Sequence, residues 1–551
     1  MSEPRKIVIV GGVAGGMSTA TRLRRLDESA HITVIERSGH VSYANCGLPY
    51  FVGGVIEQES DLLLQTPERL HDRFRLDVQV DTEVVAIDAD ARTVHVRSLL
   101  DGKVIDGAER DIPYDALVLS PGATPVRPPI PGFDRVRILR TVEDAARLFS
   151  DVAAHPATAA VIGAGFVGLE TAENLAHAGI EVTVVEAAPQ VLTPLDAEMA
   201  VLVRQELEAH GIRVITGVAV TEIAADHLVL ADGRTIPAEL VVGSIGVRPD
   251  VRLAQMAGLE IGPMGGIAVD EAGCTSRPGI YAVGDAVEKS DAVGGGTSLI
   301  ALANVANRQG RRVADHIAGL DVRRSSSYGT AIVKVFDRTA AMTGWNERRL
   351  KAAGRAYRCV HSHPMNHAGY YPGAQQMAIK LLFDPTNGEI LGAQIVGGDG
   401  VDKRIDVLAT AMWAGVRADE LADLELAYAP PFSSAKDPVN MLGYMAENVL
   451  SGACDVVEPN ELDQLKADGW RVVDVRTEAE HAAGAIPGSV NLPVDQLRDH
   501  LADLKDERLV VYCQVGQRGH TATSLLHEVG ITARNLDGGY LTWTAAQAAL
   551  A

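Results

Sequence analysis

The chain has 551 residues, 47% hydrophobic and 22% charged, enough apolar material for about three or four ordinary domains. A net charge of −22 speaks against a nucleic-acid partner, so an anionic ligand would need a local basic patch. Five cysteines (Cys46, Cys274, Cys359, Cys454 and Cys513) contain no Cys-x-x-Cys pair and no disulfide framework, which suits a reducing cytoplasm. No uninterrupted apolar run is long enough to span a membrane.

Lys6-Ile7-Val8-Ile9-Val10 predicts a buried parallel strand. Gly11, Gly12, Val13, Ala14, Gly15 and Gly16 follow, then a helix through about Leu26. The basic start and apolar run look like a leader, but the glycine loop assigns them to a dinucleotide unit. His31 to Glu36 is the next strand, with Glu36 at the spacing where an acid accepts ribose hydroxyls. The helix N-terminus would accept pyrophosphate. Val13 stands where the usual fingerprint has its second glycine.

The next stretch, Val41 to Tyr50, carries Cys46 just before an expected helix start. Pro49 suits a first helical turn, and Gly53-Gly54 can end a short helix. A thiol at a helix N-terminus is expected to have a lowered pKa and to be present as the attacking thiolate.

The dinucleotide device recurs. Ala159 to Ile162 leads into Gly163-Ala164-Gly165-Phe166-Val167-Gly168, and Glu181 to Glu186 closes the unit with a second acid. Ala187-Ala188-Pro189 offer no arginine for a 2′-phosphate, so NADH is expected rather than NADPH. Two dinucleotides imply a relay in which a nicotinamide gives hydride and a flavin passes electrons to sulfur. Gly279 to Asp285 is a strand ending in Gly284-Asp285, where Asp285 could bond a ribityl chain, and Ala303 to Gly310 opens a further helix.

Residues 326–447 read as a separate αβ domain with strands at Thr330–Phe336 and Met377–Phe383 and a hairpin signal at Asn387-Gly388. His361, His363 and His367 invite a metal, but no accompanying cysteine or acid cluster is legible in the sequence, so none is expected. After a linker at 448–456, the strand Arg508–Tyr512 runs into Cys513-Gln514-Val515-Gly516-Gln517-Arg518 and a helix from about Gly519. Such a loop turns backbone N–H groups toward the sulfur, and Arg518 would add a positive charge; together they would stabilise a thiolate or persulfide. Cys-x5-Arg phosphatases have a loop one residue longer than this Cys-x4-Arg, which makes sulfur the better expectation.

On these motifs, with Tyr114 to Gly122, Val242 to Pro249 and Asn304 to Gly310, residues 1 to about 445 resemble the single-cysteine branch of flavin disulfide reductases, the coenzyme A-disulfide reductases and NADH oxidases. Residues 457–551 resemble a rhodanese. The fold implied is α/β. FAD-binding residues are 1–120 and 250–325, the NADH-binding domain is 121–249, an α+β dimerisation domain covers 326–447, and an α/β rhodanese domain follows. The resemblance places FAD against Gly11, Gly12, Val13, Ala14, Gly16, Glu36 and Arg37, and against Ser42, Asn45, Ser120, Gly122, Gly284, Asp285 and Asn307. It places NADH against Gly163, Gly165, Phe166, Val167, Gly168, Glu186 and Gly246.

Glutathione-reductase relatives carry Cys-x4-Cys, whereas Cys46 has no resolving partner; its oxidised state must be a mixed disulfide, a persulfide or a sulfenic acid. Tyr370, Tyr371 and Tyr428 match tyrosines that reach the partner's cysteine site in coenzyme A-disulfide reductases, although packing aromatics would read the same way. Arg22, Arg24 and Arg25 form the basic helix face that would meet coenzyme A. Gln514, Val515, Gly516 and Gln517 would cradle sulfur on Cys513. The expected protein is a cytoplasmic homodimer that reduces coenzyme A disulfide, coenzyme A persulfide or polysulfide with NADH through Cys46 and carries sulfur on Cys513. An NADH oxidase with Cys46 as sulfenic acid and a non-enzymatic flavoprotein redox sensor are the alternatives.

Overall fold

Short Val- and Ile-rich runs become the inner strands of two all-parallel sheets, as expected of strands covered on both faces. In this computed structural model, which describes residues 3–100, 102–323 and 325–550, the first sheet has the order Ile280–Ala282, Ala116–Leu119, Lys6–Val10, His31–Ile35, Asp77–Gln79. One apolar cluster around Val8, Val10 and Leu117 covers one face, and a second around Ile7, Ile9 and Leu23 covers the other. The second sheet repeats the plan with Arg213–Ile215, Glu181–Val185, Thr158–Ile162, Leu240–Gly243 and Arg137–Ile138. Each sheet carries a three-stranded antiparallel meander in a later connection, at Thr82–Pro113 and at Val220–Pro237. These elements make one compact unit, Met1–Ala187 with Gly211–Gly329.

The second unit is Ala188–His210 with Thr330–Ala551. Its first sheet is antiparallel: Ala331–Val335, Arg338–Gly344, Ile390–Gly397, Ala378–Phe383, Arg358–Ser362. Its second is parallel: Val456–Val457, Thr532–Leu536, Arg508–Tyr512, Arg471–Asp474, Val490–Asn491. Helix Ala197–Ala209, expected within the nicotinamide domain, groups with the second unit, where Asp196 is tied to Gln394 by two 2.7 Å hydrogen bonds. The expected linker at 448–456 overlaps helix Pro438–Leu450 at its start and ends at Val456, which pairs with Asn535. Among the described residues no helix is long and apolar enough to cross a membrane.

Candidate active sites around Cys46 and Cys513

In the first unit, both glycine loops are built by close approach. Gly11 has φ +102°, and a Cβ there would lie 2.0 Å from the Ser120 carbonyl oxygen; one on Gly16 would lie 1.9 Å from the Gly11 oxygen. Helix Ala14–Leu26 begins at Val13 with no side-chain cap and no acid in its first turn. Its leading N–H groups therefore remain for a phosphate. Glu36 accepts from the Gly12 N–H at 2.8 Å and from the Ser38 N–H at 2.9 Å, which fixes the carboxylate at the strand end. The second loop copies this arrangement. Gly163 has φ +104°, Gly165 starts helix Phe166–His177 without a side-chain cap, and Glu186 accepts from Ala164 at 2.7 Å. Gly246 is in the left-handed region at φ +98°, and its carbonyl accepts from Val126. The residues present fit two dinucleotides. Arg37 is exposed and lies 3.8 Å from Glu83; Asn307 accepts from Ser18 at 2.7 Å across the first helix pair.

Cys46 sits in the 3-10 turn Asn45–Gly47, which runs into the five-residue helix Leu48–Val52 with Pro49 in its first turn. Ser42, at φ +49°, donates its N–H to the Gly12 carbonyl and so fastens this stretch to the first loop. The thiol is exposed. The expectation of a lowered pKa is corrected: the surrounding protein takes away part of its water, Glu170 and Asp285 add negative charge, and the thiol is pushed up, with only Arg140 pulling it down. A helix of five residues offers too little to outweigh that.

Arg140, Glu170 and Tyr50 escaped the sequence reading. Arg140 lies 3.5 Å from Asp285, and its Nη1 and carbonyl oxygen pair with the Asn45 amide at 3.0 and 3.2 Å. A Cβ on Gly122, at φ +73°, would press on the same guanidinium. Glu170, in the helix of the second loop, accepts from the Tyr50 hydroxyl at 3.3 Å. Burial raises the Glu170 pKa to about 7, with Glu173 adding to the effect and Tyr50 opposing it. A group poised near neutrality beside a reactive thiol suits proton transfer. Gly284 donates its N–H to Gln309 at 3.0 Å, which holds the turn that carries Asp285.

The three candidate arginines part ways. Arg24 is buried and spends four of its five N–H donors on the carbonyls of Asp27, Glu28, Phe74 and Arg75, so it is turned inward rather than offered to a ligand. Arg22 is half-buried and pairs with Asp315 at 2.6 Å, and Arg25 is exposed. Tyr370, Tyr371 and Tyr428 lie in the second unit, all exposed, with the hydroxyls of Tyr370 and Tyr428 3.1 Å apart.

In the second unit, Cys513 ends strand Arg508–Tyr512 and is 1% exposed. The loop Gln514, Val515, Gly516 turns through φ +93° at Gly516 into helix Gln517–Glu528. Among the described residues, the backbone N–H groups of Val515, Gly516, Gln517 and Arg518 find no protein acceptor. Such a run of open donors can hold an anion. Arg518 faces both Cys513 and Glu480, but its charge is shared rather than free, because it forms a two-pronged pair with Glu480 at 2.6 and 2.8 Å. Gln514 is gripped by Arg476 at 3.0 Å, itself bound to buried Asp474 at 2.7 Å.

Two glycine loops on parallel sheets, with a cysteine stretch fastened to the first and an acid from the second, define a nucleotide-dependent thiol oxidoreductase. Residues 5–310 match the pyridine nucleotide-disulphide oxidoreductase family, residues 330–438 the dimerisation domain of that family, and residues 458–546 the rhodanese-like domain. The chain belongs to this family of enzymes and carries a C-terminal rhodanese-like domain.

Its likeness extends to particular proteins. A coenzyme A disulfide reductase of Staphylococcus aureus is 35% identical over 446 residues, 80% of this chain and 100% of that one. The structure of reduced CoADR-RHD from Bacillus anthracis is 44% identical with a TM-score of 0.96, covering 98% of both chains. An NAD-dependent persulfide reductase from A. fulgidus is 37% identical with a TM-score of 0.91, covering 98% of this chain and 100% of that one.

Proposed function

We propose that this enzyme reduces coenzyme A disulfide, coenzyme A persulfide or polysulfide with NADH through Cys46 and carries sulfane sulfur on Cys513. The observation that carries the reading is the exposed, unpaired Cys46, fastened to the first dinucleotide loop with Glu170 of the second loop's helix near it. Cys46 as thiolate attacks the substrate S–S bond. A Cys46–sulfur bond forms, the other sulfur leaves as thiolate, and neutral Glu170 supplies its proton. Bound FAD, held by the first loop, would carry an electron pair from NADH on the second to reopen the Cys46 mixed disulfide or persulfide. Glu36 and Glu186 orient the two nucleotides by their riboses.

The working unit is a homodimer joined through the 330–438 domain, and Tyr370, Tyr371 and Tyr428 are read as serving the partner's site. Arg22 and Arg25 meet the coenzyme A phosphates, and the open N–H groups after Cys513 hold a persulfide anion. The test is anaerobic NADH oxidation with each sulfur substrate, set against oxygen alone. Turnover with a sulfur substrate that needs no oxygen is expected. Oxidation that tracks oxygen and ignores sulfur would make the enzyme an NADH oxidase instead, and no turnover with any acceptor would favour a sensor.

A further inference from the structure

Cys359 and His361 lie two residues apart on strand Arg358–Ser362, so their side chains share one face of the sheet. The C-terminal parallel sheet supplies a third group. Asp537, just after strand Thr532–Leu536, accepts from the His361 backbone N–H at 2.9 Å, and its other oxygen lies 2.5 Å from His361 Nδ1. One ligand atom from each of Cys359, His361 and Asp537 lies within 4.8 Å of the other two, and all three residues are buried. Glu458 is 3.4 Å from Cys359 Sγ.

The surroundings are anionic. Asp196, Glu198, Glu347, Glu458 and Asp537 gather here. Lys380 takes Glu198 and Glu347 at 2.5 Å and Asp196 at 3.0 Å; Glu198 also lies 3.2 Å from His361 Nε2, and Lys351 reaches Glu347 from the surface. Carboxylates outnumber the cationic groups Lys380, Lys351 and His361. Buried negative charge in excess calls for protons or a cation.

We propose that Cys359, His361 and Asp537 supply three ligands of a structural zinc site, with Glu458, which lies beside the Cys359 sulfur, moving in as the fourth. Sulfur, imidazole and carboxylate at one point are a donor set that a borderline-soft, tetrahedral d10 ion accepts, while calcium or magnesium would want oxygen alone. Tetrahedral ligands on zinc sit about 3.3–3.6 Å apart, so the cluster must tighten and the His361–Asp537 hydrogen bond must open. Binding moves no electrons: Zn²⁺ takes the place of whatever protons its ligand atoms carry, and these leave to solvent. The consequence lies next door. Asp537 is followed by Gly538 and Gly539, and a Cβ on Gly539 would meet the Cys513 carbonyl oxygen at 2.4 Å; Tyr540 donates to that oxygen at 2.8 Å. Zinc would pin the segment that backs the Cys513 loop.

The test uses the full-length flavoprotein, stripped with a chelator and then titrated with Zn²⁺ by calorimetry in two buffers of different protonation enthalpy. One zinc per chain, bound with release of protons, is expected. The Kd should rise at least ~10-fold in Cys359→Ser and in Asp537→Asn. Substitution with Co²⁺ should give a thiolate-to-cobalt charge-transfer band. Absence of stoichiometric binding by the folded wild-type chain would overturn the site and leave His361 simply hydrogen-bonded between Asp537 and Glu198; so would binding that both variants retain unchanged. If Cys359→Ser does not fold, a chain with Cys46, Cys274, Cys454 and Cys513 all replaced by serine, leaving Cys359 alone, decides. A cobalt–thiolate band kept there supports the site, and its loss refutes it. These readouts are independent of sulfur turnover, so their failure would leave the proposed reductase reading standing.

Discussion

Cys46 and Cys513 each lie a few residues before a helix, Cys46 in a 3-10 turn that runs straight into one and Cys513 at the end of a strand with a short loop between. Cys46 is followed by a helix of 5 residues and Cys513, beyond its loop, by one of 12. Cys46 is exposed, with Glu170 and Asp285 raising its pKa; Cys513 is 1% exposed and faces Arg518, whose charge Glu480 shares. The pair teaches that a helix start does not by itself set thiol chemistry. Exposure and the sign of the nearest charges do. An exposed thiol with an acid poised near neutrality is suited to repeated exchange with small disulfides. A buried sulfur under open N–H groups is suited to holding an anion.

The largest effect that could break this comparison is expected from Cys46→Ser. NADH-driven reduction of every sulfur substrate should fall by roughly 10³-fold or more, as for loss of a nucleophile. Stopped-flow absorbance should still show flavin reduction by NADH. Cys513→Ser should remove thiosulfate sulfurtransferase activity to a similar degree and leave reduction of coenzyme A disulfide within about 2-fold. If Cys513→Ser stopped disulfide reduction and Cys46→Ser spared it, the two roles would be exchanged.

A smaller effect sharpens the Cys46 side. Glu170 holds a proton below about pH 7 and loses it above, and the resulting carboxylate raises the Cys46 thiol further. Glu170→Gln removes that negative neighbour. The pH at which Cys46 becomes alkylatable should therefore move down, and the fall in turnover as pH rises through about 7 should vanish. An unchanged alkylation profile would show that Glu170 does not raise the Cys46 thiol, and a fall in turnover above about pH 7 that persists in the variant would reject Glu170 as the proton donor. Smaller again, Arg22→Ala with Arg25→Ala should raise KM for coenzyme A disulfide by roughly 5–10-fold, about 1 kcal/mol, and leave inorganic polysulfide unchanged. Tyr428→Phe should slow turnover by only about 2–5-fold without altering flavin reduction, since one hydroxyl is lost.

What was legible in the sequence is what lies within one strand–loop–helix. Gly11 to Gly16, Gly163 to Gly168, the acids Glu36 and Glu186, and the two cysteine loops announce themselves by spacing, because phosphate and thiolate sites are made largely of consecutive backbone. Glu170 was hidden because it meets Tyr50 across 120 residues and reads in sequence as an ordinary helix-surface acid. Arg24 looked like its neighbours Arg22 and Arg25, yet one helical position decides that it turns inward onto four carbonyls. The acid beside His361 was equally invisible, since Asp537 lies 176 residues downstream on another sheet. Cys359 is two residues before His361, and it is the strand Arg358–Ser362 that brings the two side chains to one face.

The central claim is that the exchange thiol is Cys46 and no other. It is tested most directly by peptide mass spectrometry of the NADH-reduced, desalted protein after one equivalent of coenzyme A disulfide is added anaerobically. A coenzyme A mixed disulfide on Cys46, with one coenzyme A thiol released, is the predicted result. An adduct found on Cys513 with Cys46 unmodified would contradict the account.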